Sequence, residues 1–331
     1  MKKQCKKLGG YEMYDIAAVG EPVIDFEETG QADRPTFRAN AGGGSLNVLA
    51  AVAAQGGSTA MLGCVGNDIF GKYLIATISA HHIDVSGVKL SDTRNTGIGF
   101  VSLSEEGERS FLLYRDNTSP VDFYLPEDAS IIERAKILHY TSVSLAGKPG
   151  RASTLRAVAC AEQLGRPLSF DANYRPAMWE SEGAARQVIG QEAARASIVK
   201  MDDREAKLIT GESEVEKATR CVLEQGAQLV CITLGKEGSY YAFSGGAGYC
   251  GSVAVQAVDT TGCGDAFMGT LLYGLLEHRE KLDVGSFTNE QMRRVVERAN
   301  IAGALCSLKK GAVDCMPGRE ELERAVQDFE K

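Results

Sequence analysis

The chain has 331 residues, 44% of them hydrophobic, with 36 Lys+Arg against 44 Asp+Glu and a formal charge of -8. At roughly 150 residues per domain, that length gives two domains or one large α/β domain with a small addition. No run approaches the roughly 18 apolar residues of a membrane span, the acidic balance argues against a nucleic-acid binder, and ordinary glycine and proline contents argue against a disordered or fibrous chain.

Met1 to Lys7 is basic, but no apolar stretch follows, so no secretory signal is expected. Nine cysteines, at 5, 64, 160, 221, 231, 250, 263, 306 and 315, show no C-x-x-C spacing. They read as reduced, mostly buried small hydrophobes, which makes a cytoplasmic location the expectation. Ile16 to Val19 reads as a buried strand, and Ser45 to Ala54 as a helix with Leu46, Leu49, Ala50 and Ala53 on one face. Thr59 to Val65 is strand-like and Gly71 to Ala80 helical. Ile137–Tyr140, Leu168–Phe170, Ile198-Val199 and Leu229–Thr233 are further short strands. Helical patterns over Arg151–Leu164, Ala184–Ala194 and Glu214–Glu224 alternate with them. The alternation predicts an α/β fold, a mostly parallel sheet with helices on both faces.

Two polar, strand-like segments break the rhythm, 23–39 and 96–115. The second reads as a hairpin turning at Glu105 to Glu108. Together they predict a small antiparallel β-sheet lid over a core made of 1–22, 40–95 and 116–331. One face of such a sheet would be left open, a candidate surface for a homodimer.

The chemistry concentrates in Val258-Asp259-Thr260-Thr261-Gly262-Cys263-Gly264-Asp265. A strand-like run, Val253 to Val258, precedes it, and a helix carrying Phe267, Leu271 and Leu275 follows. A glycine-rich turn therefore opens a helix, where backbone N–H groups lack internal partners and the dipole adds positive charge. Gly262 and Gly264 let a ligand come close to that backbone, which makes an anion site without a basic side chain. Asp265, in the first turn, either compensates the dipole or takes a proton from a hydroxyl attacking a phosphoryl group held there. Gly66 to Tyr73 nearly spells a phosphate-binding P-loop, but Tyr73 stands where a Ser or Thr hydroxyl belongs, so that reading is rejected. His81 and His82 are adjacent and lack a third ligand, so they read as surface residues.

Asp259 to Asp265 closely resembles the D-T-x-G-A/C-G-D signature of the ribokinase-like (PfkB) sugar kinases. The resemblance runs through nearly the whole chain. Gly20 to Phe26 is similar to that family's first strand end, and Ala41 to Ala50 to its G-G-x-x-x-N motif. Gly66 to Gly71 matches G-x-D-x-x-G, and Ala299-Asn300 and Lys309 to Ala312 also fit. It implies a Rossmann-like domain with a β-sheet lid, and ATP- and Mg²⁺-dependent phosphorylation of a hydroxymethyl group. Asp265 would be the base, and Gly262, Cys263 and Gly264 the anion hole.

By position the resemblance implies that Asp25, Gly43 and Asn47 meet the sugar, with Arg115 reaching it from the lid. Asp171 to Trp179 resembles the D-x-N-x-R-x-x-x-W segment of fructokinases and 2-keto-3-deoxygluconate kinases, which adds Arg175. For the nucleotide it implies Thr233, Gly235, Gly238, Asn300, Lys200 and Asp202, the last an Asp where the family has Asn. Glu205 would orient Mg²⁺ through water. Asp259, Thr261 and the Gly311 carbonyl match part of a monovalent-cation site for K⁺. The implied activity is that of a fructokinase. A 2-keto-3-deoxygluconate kinase is the nearest alternative, because Arg115 or Arg175 offers a partner for a carboxylate. A nucleoside kinase and a non-catalytic sugar-binding regulator are more distant.

Overall fold

The computed structural model describes residues 7–8, 11–29, 34–103, 109–114, 118, 129–277 and 279–329. A short ribbon of β1 (Lys7–Leu8) and β2 (Tyr11–Glu12) precedes β3 (Tyr14–Val19). After β3 the chain leaves through β4 (Val23–Glu28) and β5 (Phe37–Gly42), then returns through α1 (Gly44–Ala54), β6 (Thr59–Gly66), α2 (Ile69–Ala80) and β7 (Ile83–Ser91). A second excursion carries β8 (Ile98–Leu103) and β9 (Arg109–Tyr114). Alternation then resumes with α3 (Ala129–Arg134), β10 (Ala135–Thr141), α4 (Lys148–Gln163), β11 (Leu168–Asp171), α5 (Glu182–Arg195) and β12 (Ile198–Asp202). It continues through α6 (Asp203–Thr210), α7 (Val215–Glu224), β13 (Leu229–Thr233), β14 (Ser239–Phe243) and β15 (Gly246–Cys250). The last helices are α8 (Cys263–Leu276), α9 (Asn289–Cys306) and α10 (Arg319–Phe329).

The main sheet runs β15-β14-β13-β12-β11-β10-β3-β6-β7, parallel from β13 to β7, with β14 and β15 added antiparallel at one edge. Its strands read as unbroken apolar runs because both faces are covered, and every residue of β6 is buried. Alternation divides the core into two layers. Ile16, Ala18, Leu229 and Cys231 pack against α1, α2, α8 and α9. Ala17, Val19, Val230 and Ile232 pack against α3 to α7.

The excursions form a separate sheet, ordered β5-β4-β8-β9. It differs from expectation in two respects. Strand β5 runs on to Gly42, and β4 pairs with β8 in parallel, so the sheet is mixed. Both strands leave the main sheet in the same sense, after β3 and β7, and therefore lie side by side in one direction. The expected strand Val253 to Val258 is absent. That stretch is mostly exposed and has no strand partner; the N–H groups of Val258 and Asp259 donate instead to the Ser307 carbonyl, at 2.8 and 3.1 Å. Among the described residues no helix is long and apolar enough to cross a membrane.

Candidate active site

Parallel strands and the helices that follow them bring the polar residues to one edge of the sheet, the usual ligand side of open α/β folds. Helices α1 and α8 lie in contact and run in the same sense. A Cβ on Gly269 would stand 2.6 Å from Ala51 Cβ and from the Val48 carbonyl oxygen, so a glycine is required there. One turn toward the N-termini this contact sets Asn47 against Asp265, and Asn47 Nδ2 donates to Asp265 Oδ2 at 2.8 Å. Both side chains are buried. The start of α8 has no side-chain cap, its N-cap Gly262 being left-handed (φ 79°). Asp, Ser or Thr side chains cap α2, α5, α6 and α9. The Cys263 N–H turns to the Thr260 carbonyl, at 3.4 Å, and no side chain takes the amides that follow it, which leaves them for an anion.

A buried cation lies against this loop. Lys200, near the end of β12, faces Asp171 of β11 directly across the parallel register. Its Nζ sits 3.1 Å from both Asp171 oxygens, with Asp171 0% and Lys200 7% exposed. A Cβ on Gly264 would be 2.9 Å from Lys200 Nζ, so the ammonium occupies the space a side chain would take. Burial opposes the Lys200 charge, but Asp171, Glu205 and Asp265 outweigh it and hold the ammonium above the ordinary lysine range. Burial also raises the Asp171 carboxyl, against the pull of Lys200.

Asp25 enters from β4. A Cβ on Gly42 would stand 2.1 Å from Asp25 Oδ2, so this glycine leaves room for the carboxylate. Burial lifts Asp25 to about 6, against the opposing charge of Arg175 and with the repulsion of Asp265. Asp265 is itself raised by burial, while the Asn47 hydrogen bond and the charges of Lys200 and Arg175 hold it down and Glu205 pushes it up. Gly43, at φ 121°, turns the chain into α1 where a Cβ would lie 2.1 Å from the Glu21 carbonyl oxygen. Gly44 lets Asn173 approach, its Nδ2 lying 2.7 Å from where a Cβ would be. Asn47 Oδ1 and Asn173 Oδ1 are buried acceptors without a hydrogen-bond partner. Two such acceptors beside two carboxylates suit a ligand rich in hydroxyl donors.

The profile of the pfkB family carbohydrate kinases matches residues 13–319. The chain is 33% identical over 319 residues to probable fructokinase-4 of Arabidopsis thaliana, covering 94% of this chain and 96% of that one. Fructokinase with bound ATP from Xylella fastidiosa superposes with a TM-score of 0.87 at 26% identity, over 96% and 100% of the two chains. Fructokinase from Vibrio cholerae O395, in a form with fructose, ADP and calcium ion bound, gives 0.82 at 28% identity, over 95% and 99%.

The chain belongs to the pfkB family of carbohydrate kinases. It is a sugar phosphotransferase with a ribokinase-type fold. Of the residues singled out by the pfkB resemblance, Asp25, Arg175, Asn47, Lys200 and Glu205 share one electrostatic environment with Asp265. Arg175 is exposed, while Arg115 lies outside the described residues. Asp202 caps α6: its Oδ1 accepts from Glu205 N at 2.7 Å, and Glu205 Oε2 accepts from Asp202 N at 2.8 Å. Glu205 Oε1 also accepts from Tyr174 N at 2.6 Å, tying the 171–175 loop to α6. Burial raises the Glu205 carboxyl to about 7 despite Lys200 nearby.

On the outer side, Thr233 Oγ1 donates to the Met201 carbonyl at 3.3 Å. Gly235 opens a short 3₁₀ turn ending at Gly238, where a Cβ would stand 2.0 Å from the Cys250 carbonyl oxygen. Asn300 does not present its amide nitrogen to a ligand. Its Nδ2 donates to the carbonyls of Cys250 and Gly251, at 3.0 and 3.1 Å, and pins the end of β15 to α9. Asp259 Oδ1 accepts from Thr261 N at 2.7 Å, and Gly311 sits at φ 103°. Sequence reading gave no role to Asp171, Gly42, Gly44 or Asn173. Asp171 and Asn173 stood in a quoted motif, but their partners are known only once the strands are in register.

Proposed function

We propose that the chain is an ATP-dependent fructokinase in which Asp265 is the general base. The observation that carries this is the buried Asp265 carboxylate in the uncapped first turn of α8, oriented by Asn47 and flanked by Lys200. The sugar's hydroxymethyl oxygen attacks the γ-phosphorus of ATP as its proton passes to Asp265. The bond to the bridging oxygen breaks and ADP leaves. The amides of Gly262, Cys263 and Gly264 stabilise the transferring oxygens. The raised Asp265 carboxyl is a stronger base than a solvated one, and the Asn47 hydrogen bond favours its ionised form against burial. Asp25, Gly43, Asn47 and Arg175 receive the sugar, and the sheet of β4, β5, β8 and β9 covers it as a lid. Lys200, Thr233, Gly235 and Gly238 line the nucleotide side, with Asp202 and Asn300 acting through the turns they fix.

Glu205 shares the surroundings of Lys200 with Asp171 and Asp265, and no group of three acidic, His or Cys side chains among the described residues could cage a metal. This suits Mg²⁺, which keeps its waters and leans on phosphates, so Glu205 would hold it through water. When bound, the ion neutralises phosphate charge. The donors near Thr261 fit K⁺ poorly. The thiols of Cys306 and Cys315 face the Thr261 carbonyl at 3.6 and 3.9 Å, where a hard cation needs oxygen, and no step is assigned to it.

Fructose is favoured as substrate by the named relatives. The exposed Arg175 guanidinium beside Asp25 and Asp265 keeps 2-keto-3-deoxygluconate as the second reading. A comparison of kcat/KM for the two sugars decides: fructose is expected to be preferred, and preference for the acid would overturn the assignment.

A further inference from the structure

The segment that follows α9 lies directly behind the loop that opens α8. The N–H groups of Val258 and Asp259 donate to the Ser307 carbonyl. A Cβ on Gly262 would stand 3.3 Å from Met316 Cε and 3.6 Å from Ala312 Cα, so the two stretches of chain are in contact. Three side-chain pairs hold this segment. Lys309 Nζ meets Glu321 of α10 at 2.9 Å, and Asp314 Oδ1 meets His81 Nε2, just past the end of α2, at 3.0 Å. The third pair crosses to the second sheet: Lys310 Nζ stands 2.9 Å from Glu27 Oε1 of β4, 283 positions away. Glu27 lies two residues beyond Asp25, so both side chains project from one face of β4. Phe26 takes the opposite face and packs edge-on against Phe70 of α2. The Glu27 side chain is 18% exposed and that of Lys310 53%. The carboxylate is therefore partly closed in, and the ammonium reaches it from the water side.

We propose that Glu27 and Lys310 are positioning residues for Asp25: their ion pair ties β4 to the segment behind Gly262 and so fixes the Asp25 carboxylate relative to the loop that opens α8. The proposal rests on the reading of Asp25 as a sugar ligand and of that loop as the anion hole. Neither Glu27 nor Lys310 touches a reacting atom. A sugar held by Asp25 must present its hydroxymethyl oxygen in line with a phosphoryl group held at Gly262 to Gly264, and small displacements of such groups are costly. Asp25 and Gly262 stand on different sheets and in distant parts of the sequence. The Glu27–Lys310 pair joins the strand of one to the chain packed on the other. With the pair broken, sugar binding has to order β4 itself, and the loss appears in sugar affinity more than in turnover. The Lys309–Glu321 pair holds the same segment but leads to α10, away from β4, and serves as the internal control.

The test measures KM and kcat at saturating ATP, with whichever of fructose and 2-keto-3-deoxygluconate is turned over faster, at about 0.05 M and 0.5 M salt. Glu27→Gln and Lys310→Met are each expected to raise the sugar KM about two- to fivefold at low salt, with kcat held within about twofold. The wild-type KM should rise toward theirs at high salt, where a half-exposed pair is screened, while the KM of the variants stays level. The charge-exchanged double variant Glu27→Lys/Lys310→Glu should recover most of the wild-type KM. Lys309→Met should leave it unchanged. Because Glu27 acts through Asp25, Asp25→Asn/Glu27→Gln should bind sugar as weakly as Asp25→Asn alone, read as a Kd by calorimetry so that no turnover is needed. Additive losses in that double variant, an equal rise in KM for Lys309→Met, or a Glu27→Gln variant with wild-type KM and salt response would each overturn the proposal. Wild-type sugar affinity in Asp25→Asn alone would instead overturn the sugar-side reading on which it rests.

Discussion

Replacing Asp171 by Asn probes the buried Lys200 most severely. The perturbation keeps shape and one acceptor oxygen but removes the charge that faces Lys200 Nζ at 3.1 Å from both oxygens. Removing one member of a buried ion pair typically costs about 3–5 kcal/mol, because the remaining charge stays desolvated. Glu205 and Asp265 continue to attract the Lys200 ammonium, so the low end applies, about 3 kcal/mol. Against a total stability of about 5–15 kcal/mol, that loss is readily seen in urea unfolding at pH 7. The double variant Asp171→Asn/Lys200→Met removes both charges and is expected to recover most of the stability. Its turnover should stay low, because no ammonium then stands behind Gly264. Asp171→Asn within about 0.5 kcal/mol of wild type, or a double variant less stable than the single, would refute this account of the pair.

Asn47→Ala removes the donor that favours the ionised Asp265, so the acid limb of the kcat/KM profile should move to higher pH. Activity then falls more at pH 6 than at pH 8, and an unshifted limb would show that Asn47 does not hold the base. The sheet of β4, β5, β8 and β9 presents Phe37, Leu112 and Tyr114, all about half exposed, with Phe37 and Tyr114 packed edge-on against Phe100. We infer that two lids pair through these residues. Light scattering should give twice the chain mass for the wild type and the single mass for Phe37→Glu, whereas a monomeric wild type would remove the dimer.

Much of this was legible in the sequence wherever a property is local. The turn at Gly262 to Asp265 reads as a helix start because glycine spacing and a following apolar face are written consecutively. The parallel core reads as such because strands buried on both faces are continuous apolar runs. Long-range pairings were not legible. Asn47 and Asp265 are 218 positions apart, and Asp171 meets Lys200 only through the register of two strands. Val253 to Val258 has the composition of a strand but no neighbour to pair with, and propensity does not report a missing partner. Strand β15 is hard to read because glycines at 246 and 248 interrupt its pattern, whereas β14, Ser239–Phe243, is a short buried apolar run that the sequence reading passes over. Asp202 shows the opposite case: its capping partner Glu205 is only three residues away in the sequence.

The base assignment is tested most directly by Asp265→Asn, comparing turnover on fructose with the Kd for ATP. The amide keeps the volume and a hydrogen-bonding side chain toward Asn47 but cannot take the hydroxyl proton. Turnover is expected to fall by about 10²–10⁴-fold while ATP affinity changes little. Turnover within a few-fold of wild type would contradict the role given to this carboxylate.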